Sequence, residues 1–237
     1  MAHTVVTGGG TGIGRAIAHA FAERGDSLTL VGRREEKLAE VAAELPGTAV
    51  DCVPADLTTP EGVGAVAGSL TDGTVDVLVN NAGGLIDDEY DPKGAEGVRR
   101  MIDLNLTSAV LLTEALWENL ARPGGRVVNL SSLAAQRGNG LYGAAKAGVI
   151  GWSTGVARKG GPEGITANTI APGYIMDTEF FEGGRAPHHD RLIEETLLKK
   201  AGEPAHIAAT AVFLASEGAG LITGQTIAVN GGSYIHY

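Results

Sequence analysis

A glycine-rich turn between a predicted strand and a predicted helix, residues 7–14, constrains the fold of this chain more than any other feature. The β-branched run at residues 3–6 is typical of a strand, and residues 15–24 carry apolar side chains at helical spacing. Glycines allow the backbone to approach a pyrophosphate, and the N–H groups and dipole of the helix stabilise its charge. The spacing G-x-x-x-G-x-G differs from the commoner G-x-G-x-x-G, and a tight loop without a ligand is the alternative interpretation. The flanking strand and helix favour a dinucleotide site.

Tyr142 and Lys146 stand four residues apart, so they share one face of a predicted helix. A free phenol has a pKa near ~10, and a neighbouring ammonium favours the phenolate and lowers that pKa. A phenol tuned in this way exchanges a proton with a substrate oxygen near neutral pH. By itself the spacing is more typical of an ordinary, partly exposed helix face. Its combination with the glycine-rich turn makes Tyr142 a candidate catalytic acid.

Further motifs follow the turn along the chain: Asn80 to Gly83 after an apolar run, Leu104 to Leu106, Val127 to Ser132, Asn168 with residues 171–175, and residues 223–225 with 229–232. Together with the turn and the Tyr–Lys pair, they resemble the short-chain dehydrogenase/reductase family over essentially the whole chain. Within that family the chain is similar to the 3-oxoacyl-(acyl-carrier-protein) reductases. The resemblance implies a nicotinamide-dependent oxidoreductase with one Rossmann-like domain.

Apolar, β-rich segments alternate with helical patterns along the chain, which predicts a parallel sheet covered by helices. The segments lie at about residues 3–7, 27–32, 48–53, 75–80, 125–131, 165–170 and 225–230. The predicted fold is therefore α/β: a Rossmann-like doubly wound parallel sheet of about seven strands with helices on both faces, in a single domain spanning 1–237. One helix is predicted from 93 to 119. Residues 174–200, rich in Gly and Pro before an amphipathic stretch at 192–198, are expected to form a lid over the substrate.

Charge and composition exclude several function classes. The net charge of −10 disfavours a nucleic-acid partner or an anionic membrane surface. No apolar run is long enough for a transmembrane helix, and no secretory signal pattern precedes the first strand. The single Cys52 excludes an internal disulfide and fits a reducing compartment. A soluble cytoplasmic protein is expected.

The resemblance implies roles for four catalytic residues. Tyr142 would exchange the proton, Lys146 would lower its pKa and bind the nicotinamide ribose, Ser132 would hydrogen-bond the carbonyl oxygen, and Asn105 would hold a water linked to Lys146. Ser132 precedes Tyr142 by ten residues, fewer than in most relatives, and counting back by the usual interval reaches Asn129 instead. Because a strand end fixes side-chain direction while loops absorb deletions, the strand alignment favours Ser132, with Ser131 structural.

The resemblance also implies a set of cofactor contacts. Gly8, Gly12, Ile13 and Gly14 would face the pyrophosphate beside Thr11, and Asp56 with Leu57 would lie at the adenine. A helix N-cap role is the alternative for Asp56. The other expected contacts are Asn81, Ala82 and Gly83 near the adenosine ribose, Pro172, Gly173 and Ile175 at the nicotinamide end, Thr178, and the catalytic Tyr142 and Lys146. Thr178 comes one residue later than in many relatives.

The end of the second strand favours NADP(H) over NAD(H). NAD-binding members place an acidic residue there to hold the ribose 2′-OH, whereas this chain has Gly32 followed by Arg33. A guanidinium binds a 2′-phosphate through charge-assisted hydrogen bonds, so Arg33 is the predicted contact. Against this, Thr11 is not basic, and Arg34 is also compatible with a solvated helix start. NAD(H) therefore remains the alternative cofactor.

The predicted reaction is hydride transfer between nicotinamide and a carbonyl or secondary alcohol, with a 3-oxoacyl thioester or a small ketone as the substrate. The basic residues available to meet an acidic acyl carrier protein, interrupted by Glu163, are Arg122, Arg126, Arg158 and Lys159. A non-catalytic NADP-binding sensor is the alternative function. No metal site is predicted, since the adjacent His188 and His189 are typical of a solvent-facing loop. The resemblance further implies a homotetramer.

Overall fold

A seven-stranded, fully parallel sheet forms the centre of the protein. The structure is a computed structural model that describes residues 1–70, 73–86 and 89–235, except for the side chain of Glu182. In chain order the strands are β1 His3–Thr7, β2 Ser27–Gly32, β3 Val50–Pro54, β4 Val77–Asn80, β5 Arg126–Leu130, β6 Thr166–Pro172 and β7 Thr226–Val229. Their order across the sheet is β3-β2-β1-β4-β5-β6-β7. The predicted Rossmann-like architecture is confirmed.

Helices cover both faces of the sheet. They are α1 Gly12–Glu23, α2 Glu35–Ala43, α3 Pro60–Ser69, α4 Gly94–Ile102, α5 Ser108–Ala115, α6 Leu133–Arg137, α7 Gly140–Gly160, α8 His189–Glu194 and α9 Pro204–Leu214. On one face, Ile17 and Phe21 of α1 pack with Ile207 of α9. On the other, Val66 of α3 and Leu112 of α5 belong to a second core. Buried on both faces, the strands are near-continuous apolar runs.

The strand order reverses beside β1, which pairs with β2 on one side and with β4 on the other. The chain builds outward from β1 to β3, returns to β4, and then builds outward in the other direction. In open α/β sheets, such a reversal leaves a crevice beyond the carboxyl ends of the strands, where ligands bind. The glycine-rich turn after β1 lies at this crevice.

The helix predicted from 93 to 119 is helical from Gly94 to Ala115, but it is not a regular α-helix throughout. A π-helical segment, Asp103–Thr107, separates α4 from α5, and a 3₁₀ turn at Trp117–Asn119 ends the region. π-helical insertions widen the backbone hydrogen-bond ladder by one residue and are frequent at functional sites. Asn105 lies inside this segment.

The segment from Tyr174 to Lys200 is mostly irregular. It contains α8 and a 3₁₀ turn at Glu182–Gly184. The amphipathic stretch predicted to run to Leu198 ends earlier: α8 stops at Glu194, and the Leu197 and Leu198 residues are 67% and 64% exposed. Within the described parts of the chain, no helix has both the length and the apolar character needed to cross a membrane.

Candidate active site

The amino end of α1 is open to an anion. Its N-cap residue Thr11 has an extended backbone and makes no side-chain capping hydrogen bond, and the first turn contains no acidic residue. The first N–H groups of a helix lack partners within the helix and carry its positive dipole end. A Cβ added to Gly14 would lie 2.0 Å from the carbonyl oxygen of Gly8, so only glycine allows helix and turn to approach this closely. These features suit a pyrophosphate.

A cavity of about 480 Å³ joins this turn to the Tyr–Lys pair. Its walls follow the carboxyl ends of β1 to β6. Every predicted cofactor contact lies along it: Gly8, Thr11, Gly12, Ile13, Gly14, Arg33, Asp56, Leu57, Asn81, Ala82, Gly83, Tyr142, Lys146, Pro172, Gly173, Ile175 and Thr178. Thr178 lies against the turn, and the preceding Asp177 adopts a left-handed backbone with φ of 57°. A Cβ on Gly12 would lie 3.3 Å from the Cβ of Thr178.

The rim after β4 is held in place by hydrogen bonds to Thr7. The backbone N–H groups of Asn81 and Ala82 both donate to Thr7 Oγ1 at 2.9 Å. The Asn81 side chain donates to the carbonyl oxygen of Thr7 at 2.8 Å. These bonds tie the ends of β1 and β4 together, so the two rims of the cavity form one rigid edge.

Basic side chains gather at the end of β2. Arg33 is exposed, lines the cavity, and makes no ion pair with any side chain that the structure describes. Arg34 and Lys37 also line the cavity, and their partners are acidic: Arg34 Nη2 lies 2.5 Å from Glu179 Oε2, and Lys37 Nζ lies 2.7 Å from Glu40 Oε2. Because Gly32 supplies no carboxylate, this end of the cavity can accept the negative charge of a 2′-phosphate.

Asp56 lies in the loop after β3, since that strand stops at Pro54. Its Oδ1 accepts hydrogen bonds from the Thr58 hydroxyl at 2.7 Å and from the Thr58 N–H at 2.9 Å. These bonds, chiefly the one from the hydroxyl, and the nearby Arg33 charge lower the pKa of Asp56. The N-cap of α3 is Thr59, whose side chain accepts from the N–H of Gly62. Asp56 is therefore not the N-cap residue itself but stands in the turn that leads into α3, where its carbonyl oxygen accepts from the Thr59 hydroxyl at 2.9 Å.

Tyr142 and Lys146 lie in α7 and are almost completely buried, at 5% and 4% exposure. Lys146 Nζ donates to the carbonyl oxygen of Leu130 at 3.0 Å and lies 6.0 Å from the centre of the Tyr142 ring. Burial raises the pKa of Tyr142, and it lowers the pKa of Lys146 to about 8. Without a ligand, burial therefore outweighs the expected lowering of the phenol pKa by Lys146, since desolvation disfavours both charged forms. That lowering stays a prediction for the cofactor complex.

The two serines after β5 differ in surroundings. The buried Ser131 donates its hydroxyl proton to the carbonyl oxygen of Lys146 at 2.8 Å. Ser132 lines the cavity, accepts from the N–H of Ala134 at 3.1 Å, and hydrogen-bonds Tyr142, which offsets part of the rise in the Tyr142 pKa. Asn129, the residue reached by counting back, is fully buried in the sheet and donates to Ser153. The geometry thus favours Ser132 as the serine that faces a substrate.

Asn105 is the one predicted site residue that does not line the cavity. Its buried side chain makes two hydrogen bonds to the backbone of Gly84. It accepts one from the Gly84 N–H at 2.9 Å and donates one to the Gly84 carbonyl oxygen at 2.8 Å. A second donated bond reaches the carbonyl oxygen of Met101 at 3.1 Å. The side-chain amide therefore anchors the loop after β4. The water link to Lys146 that the resemblance implies stays a prediction.

Sequence reasoning did not assign the aromatic wall around Tyr142. Tyr90 contacts the Tyr142 ring edge-on, with centroids 5.6 Å apart, and Phe180 lies at the same centroid distance. Tyr90 is in a stretch without periodicity, and Phe180 is in the predicted lid, so no spacing pattern links either residue to Tyr142. Arg137 also lines the cavity, and Glu195 and the carbonyl oxygen of Ser233 hold its guanidinium.

The side chains of His188, His189 and Asp190 do not form a metal-binding group. His189 Nδ1 hydrogen-bonds the Tyr174 hydroxyl at 2.8 Å. Across the residues that the structure describes, no three His, Cys, Asp or Glu side chains are grouped to hold a metal ion. The polar side chains that line the cavity are instead hydroxyls, amides, cationic groups and the carboxylates of Asp56 and Glu179.

The cavity brings a site suited to pyrophosphate together with the half-buried Ser132 and the buried Tyr142 and Lys146. This arrangement is able to bind a dinucleotide at one end and exchange a proton at the other. Known proteins resemble this chain over most of its length. Residues 8–234 match a family model described as enoyl-(acyl carrier protein) reductase, a short-chain dehydrogenase model.

Three relatives illustrate the similarity. The 3-oxoacyl-(acyl-carrier-protein) reductase of Vibrio cholerae is 35% identical, covering 98% of this chain and 96% of the relative. The acetoacetyl-CoA reductase of Rhizobium meliloti is 37% identical, covering 97% of each chain. The crystal structure of a short-chain dehydrogenase from Burkholderia cenocepacia in complex with NADP superposes with a TM-score of 0.88 at 29% identity, covering 98% of this chain and 97% of that one.

Proposed function

The chain belongs to the short-chain dehydrogenase/reductase family, and from this premise we propose that it is an NADP(H)-dependent oxidoreductase acting on a carbonyl or secondary alcohol. The single observation that carries the proposal is the shared cavity. It is lined at one end by the glycine-rich turn and Arg33, and at the other by Ser132, Tyr142 and Lys146.

We propose a 3-oxoacyl thioester or a small ketone as the substrate. Two relatives are named for the reduction of 3-oxoacyl-(acyl-carrier-protein) and of acetoacetyl-CoA. Leu85, Leu133 and Leu192 line the cavity together with the aromatic wall. An apolar pocket with a few convergent polar groups is the usual form of a small-molecule site.

The proposed chemistry uses this chain's residues for proton transfer and orientation. NADPH supplies the hydride to the carbonyl carbon when it is bound. Tyr142 donates its proton to the carbonyl oxygen, and Ser132 donates a hydrogen bond that stabilises the charge developing there. At neutral pH the phenol carries its proton, which is the form that donates in the reductive direction. Burial raises the pKa of Tyr142 and weakens it as a donor, so efficient donation depends on the lowering of that pKa predicted for the cofactor complex.

Lys146 is proposed to restore the proton and to bind ribose hydroxyls. Its pKa of about 8 lies close to neutral pH, so the amine exchanges a proton with little energetic cost. Its hydrogen bond to the carbonyl oxygen of Leu130 fixes the Nζ position at the end of β5. Asn105 lies close to the Lys146 amine. A Cβ added to Gly83 would lie 2.7 Å from Asn105 Oδ1 and 2.8 Å from Lys146 Nζ, so both side chains converge on Gly83.

The alternative of a non-catalytic NADP-binding sensor is disfavoured. A protein that only binds the cofactor has no need for a buried phenol and a buried amine beside a half-buried hydroxyl at the nicotinamide end. Burying these polar groups carries a desolvation cost, and a catalytic role accounts for it. The relatives are named as reductases.

A panel of carbonyl compounds tests the function. NADPH oxidation is followed with acetoacetyl-CoA, a 3-oxoacyl carrier thioester, and small cyclic and linear ketones, with Tyr142→Phe as the control. We expect at least one compound to give turnover that the variant loses. If the wild-type protein binds NADPH but the whole panel stays unreduced, the sensor becomes the better account.

We also propose that the protein works in the cytoplasm as a homotetramer. The exposed Val98 and Leu111 lie on α4 and α5, and the exposed Leu221 and Ile235 lie near the carboxyl end. Contact between copies would cover such apolar side chains. Light scattering after size-exclusion chromatography tests the assembly, and a monomer at micromolar concentration would contradict it.

A further inference from the structure

We propose that Glu179 lowers the affinity of the site for NADP(H) by competing with the cofactor 2′-phosphate for Arg34. The inference rests on the proposed dinucleotide function and adds a residue that selects between phosphorylated and unphosphorylated cofactors. It makes Glu179 a specificity-determining residue, outside the catalytic group.

The ion pair spans the cofactor cavity. Arg34 follows β2, at the end of the cavity proposed for the 2′-phosphate, and Glu179 belongs to the irregular segment after β6. Their side chains meet at 2.5 Å between Arg34 Nη2 and Glu179 Oε2, and both residues line the cavity. The pair therefore connects two walls that a bound dinucleotide would have to separate or share.

Glu179 brings a carboxylate from the opposite wall of the cavity to the three cations at the end of β2, which are Arg33, Arg34 and Lys37. Lys37 is paired with Glu40 of its own helix, and the negative charge of Glu179 adds to the rise in the pKa of Lys37. Arg33 has no ion pair with a described side chain. Of the three cations at this end, Arg34 is the one whose charge is neutralised by the segment after β6.

Phosphate and carboxylate make similar demands on a guanidinium. Each accepts two parallel N–H bonds from the fork of an arginine, so Arg34 satisfies one of them fully at a time. A 2′-phosphate is also an anion, and a carboxylate close to it repels it. The Arg34 and Glu179 side chains are 50% and 54% exposed, so the pair is weak enough to be displaced. A ribose 2′-OH carries no charge and leaves the pair intact.

Equilibrium binding of the two cofactors tests the proposal. Dissociation constants for NADPH and NADH are measured by calorimetry for the wild type, Glu179→Gln, Arg34→Gln and the double variant. Binding is chosen over turnover because the neighbouring Phe180 packs on Tyr142. We expect Glu179→Gln to tighten NADPH roughly two- to fivefold, as the loss of an exposed ion pair permits. Its NADH constant should be unchanged, and the NADPH gain should shrink at high salt.

The double variant and a matched control decide the mechanism. In the Arg34→Gln background, removing the Glu179 charge should tighten NADPH less than in the wild type, because only the direct repulsion between the carboxylate and the 2′-phosphate is then relieved. Glu163→Gln removes a carboxylate that pairs with Arg122 and does not line the cavity, and it should leave both constants unchanged. Weaker or unchanged NADPH binding in Glu179→Gln, equal tightening of both cofactors, or a gain that is undiminished without Arg34 would overturn the inference. A wild-type protein that binds neither cofactor would overturn the proposed function itself.

Discussion

Replacing Lys146 by methionine should stabilise the fold while removing activity. Lys146 is buried, and its pKa falls from an ordinary value of 10.5 to about 8. At ~1.4 kcal/mol per pKa unit, keeping the folded protein protonated at neutral pH costs about 3 kcal/mol. Methionine fills a similar volume without charge but leaves the carbonyl oxygen of Leu130 without its hydrogen bond, at a cost of about 1 kcal/mol. The net gain at pH 7 should be about 2 kcal/mol.

The gain should depend on pH in a defined direction. Below pH 8 both the folded and the unfolded wild-type chains carry the ammonium, so the full cost is present. Between pH 8 and 10.5 the unfolded chain stays charged while the folded amine becomes neutral, and the cost disappears. Lys146→Met should therefore be more stable than the wild type at pH 7 and slightly less stable near the upper end of this range.

Urea unfolding at pH 7 and near pH 10.5, at one protein concentration, measures the difference in the free energy of unfolding between Lys146→Met and the wild type. Lys200→Met removes an exposed lysine and controls for general charge effects, since its stability difference should not follow this course. Turnover of Lys146→Met should fall by at least ~100-fold, as expected for loss of a group in the proton-transfer chain. A Lys146→Met protein that is less stable than the wild type at pH 7, or whose advantage does not change with pH, would refute the argument.

Three further outcomes follow from the site. Tyr142→Phe should lower kcat by ~10²–10⁴ with NADPH binding retained, and near-normal turnover would exclude a proton-donor role. Arg33→Ala should raise the KM for NADPH roughly ten- to hundredfold and leave NADH unaffected, because charge-assisted hydrogen bonds are lost; equal effects on the two cofactors would contradict 2′-phosphate binding. Gly14→Ala should lower both the thermal stability and the affinity for the cofactor, because the added Cβ collides with the turn. Gly64→Ala is the control: it lies at an exposed position of α3 with open space around it and should stabilise the protein by ~0.5–1 kcal/mol in the same melting assay.

The fold was predictable because its signals are local. Each strand buried between helices is a short apolar run, and the turn after β1 carries its glycines at positions where a Cβ would collide. The π-helical segment between α4 and α5 was not predictable from local signals. Asn105 bonds Gly84 from a distant loop, and such tertiary contacts are absent from helical periodicity.

The surroundings of the catalytic group were the least predictable part. The spacing of Tyr142 and Lys146 showed that they share a helix face, but the pKa values of both depend on burial. For Tyr142, the surroundings include Tyr90 and Phe180, which lie far away in sequence. Arg34 and Glu179 are likewise paired only by the fold. Sequence motifs therefore located the site, whereas its electrostatics required the three-dimensional arrangement.

Transfer of a labelled hydride tests the central claim most directly. NADPH carrying deuterium at the reactive carbon of its nicotinamide is incubated with a substrate ketone and the protein, and the alcohol is analysed by mass spectrometry. The account predicts deuterium on the carbinol carbon of the product, with the signal lost in Tyr142→Phe. The experiment is done with NADPH labelled on one face of the nicotinamide and again with NADPH labelled on the other face. If neither cofactor gives product alcohol that contains deuterium, the account is contradicted.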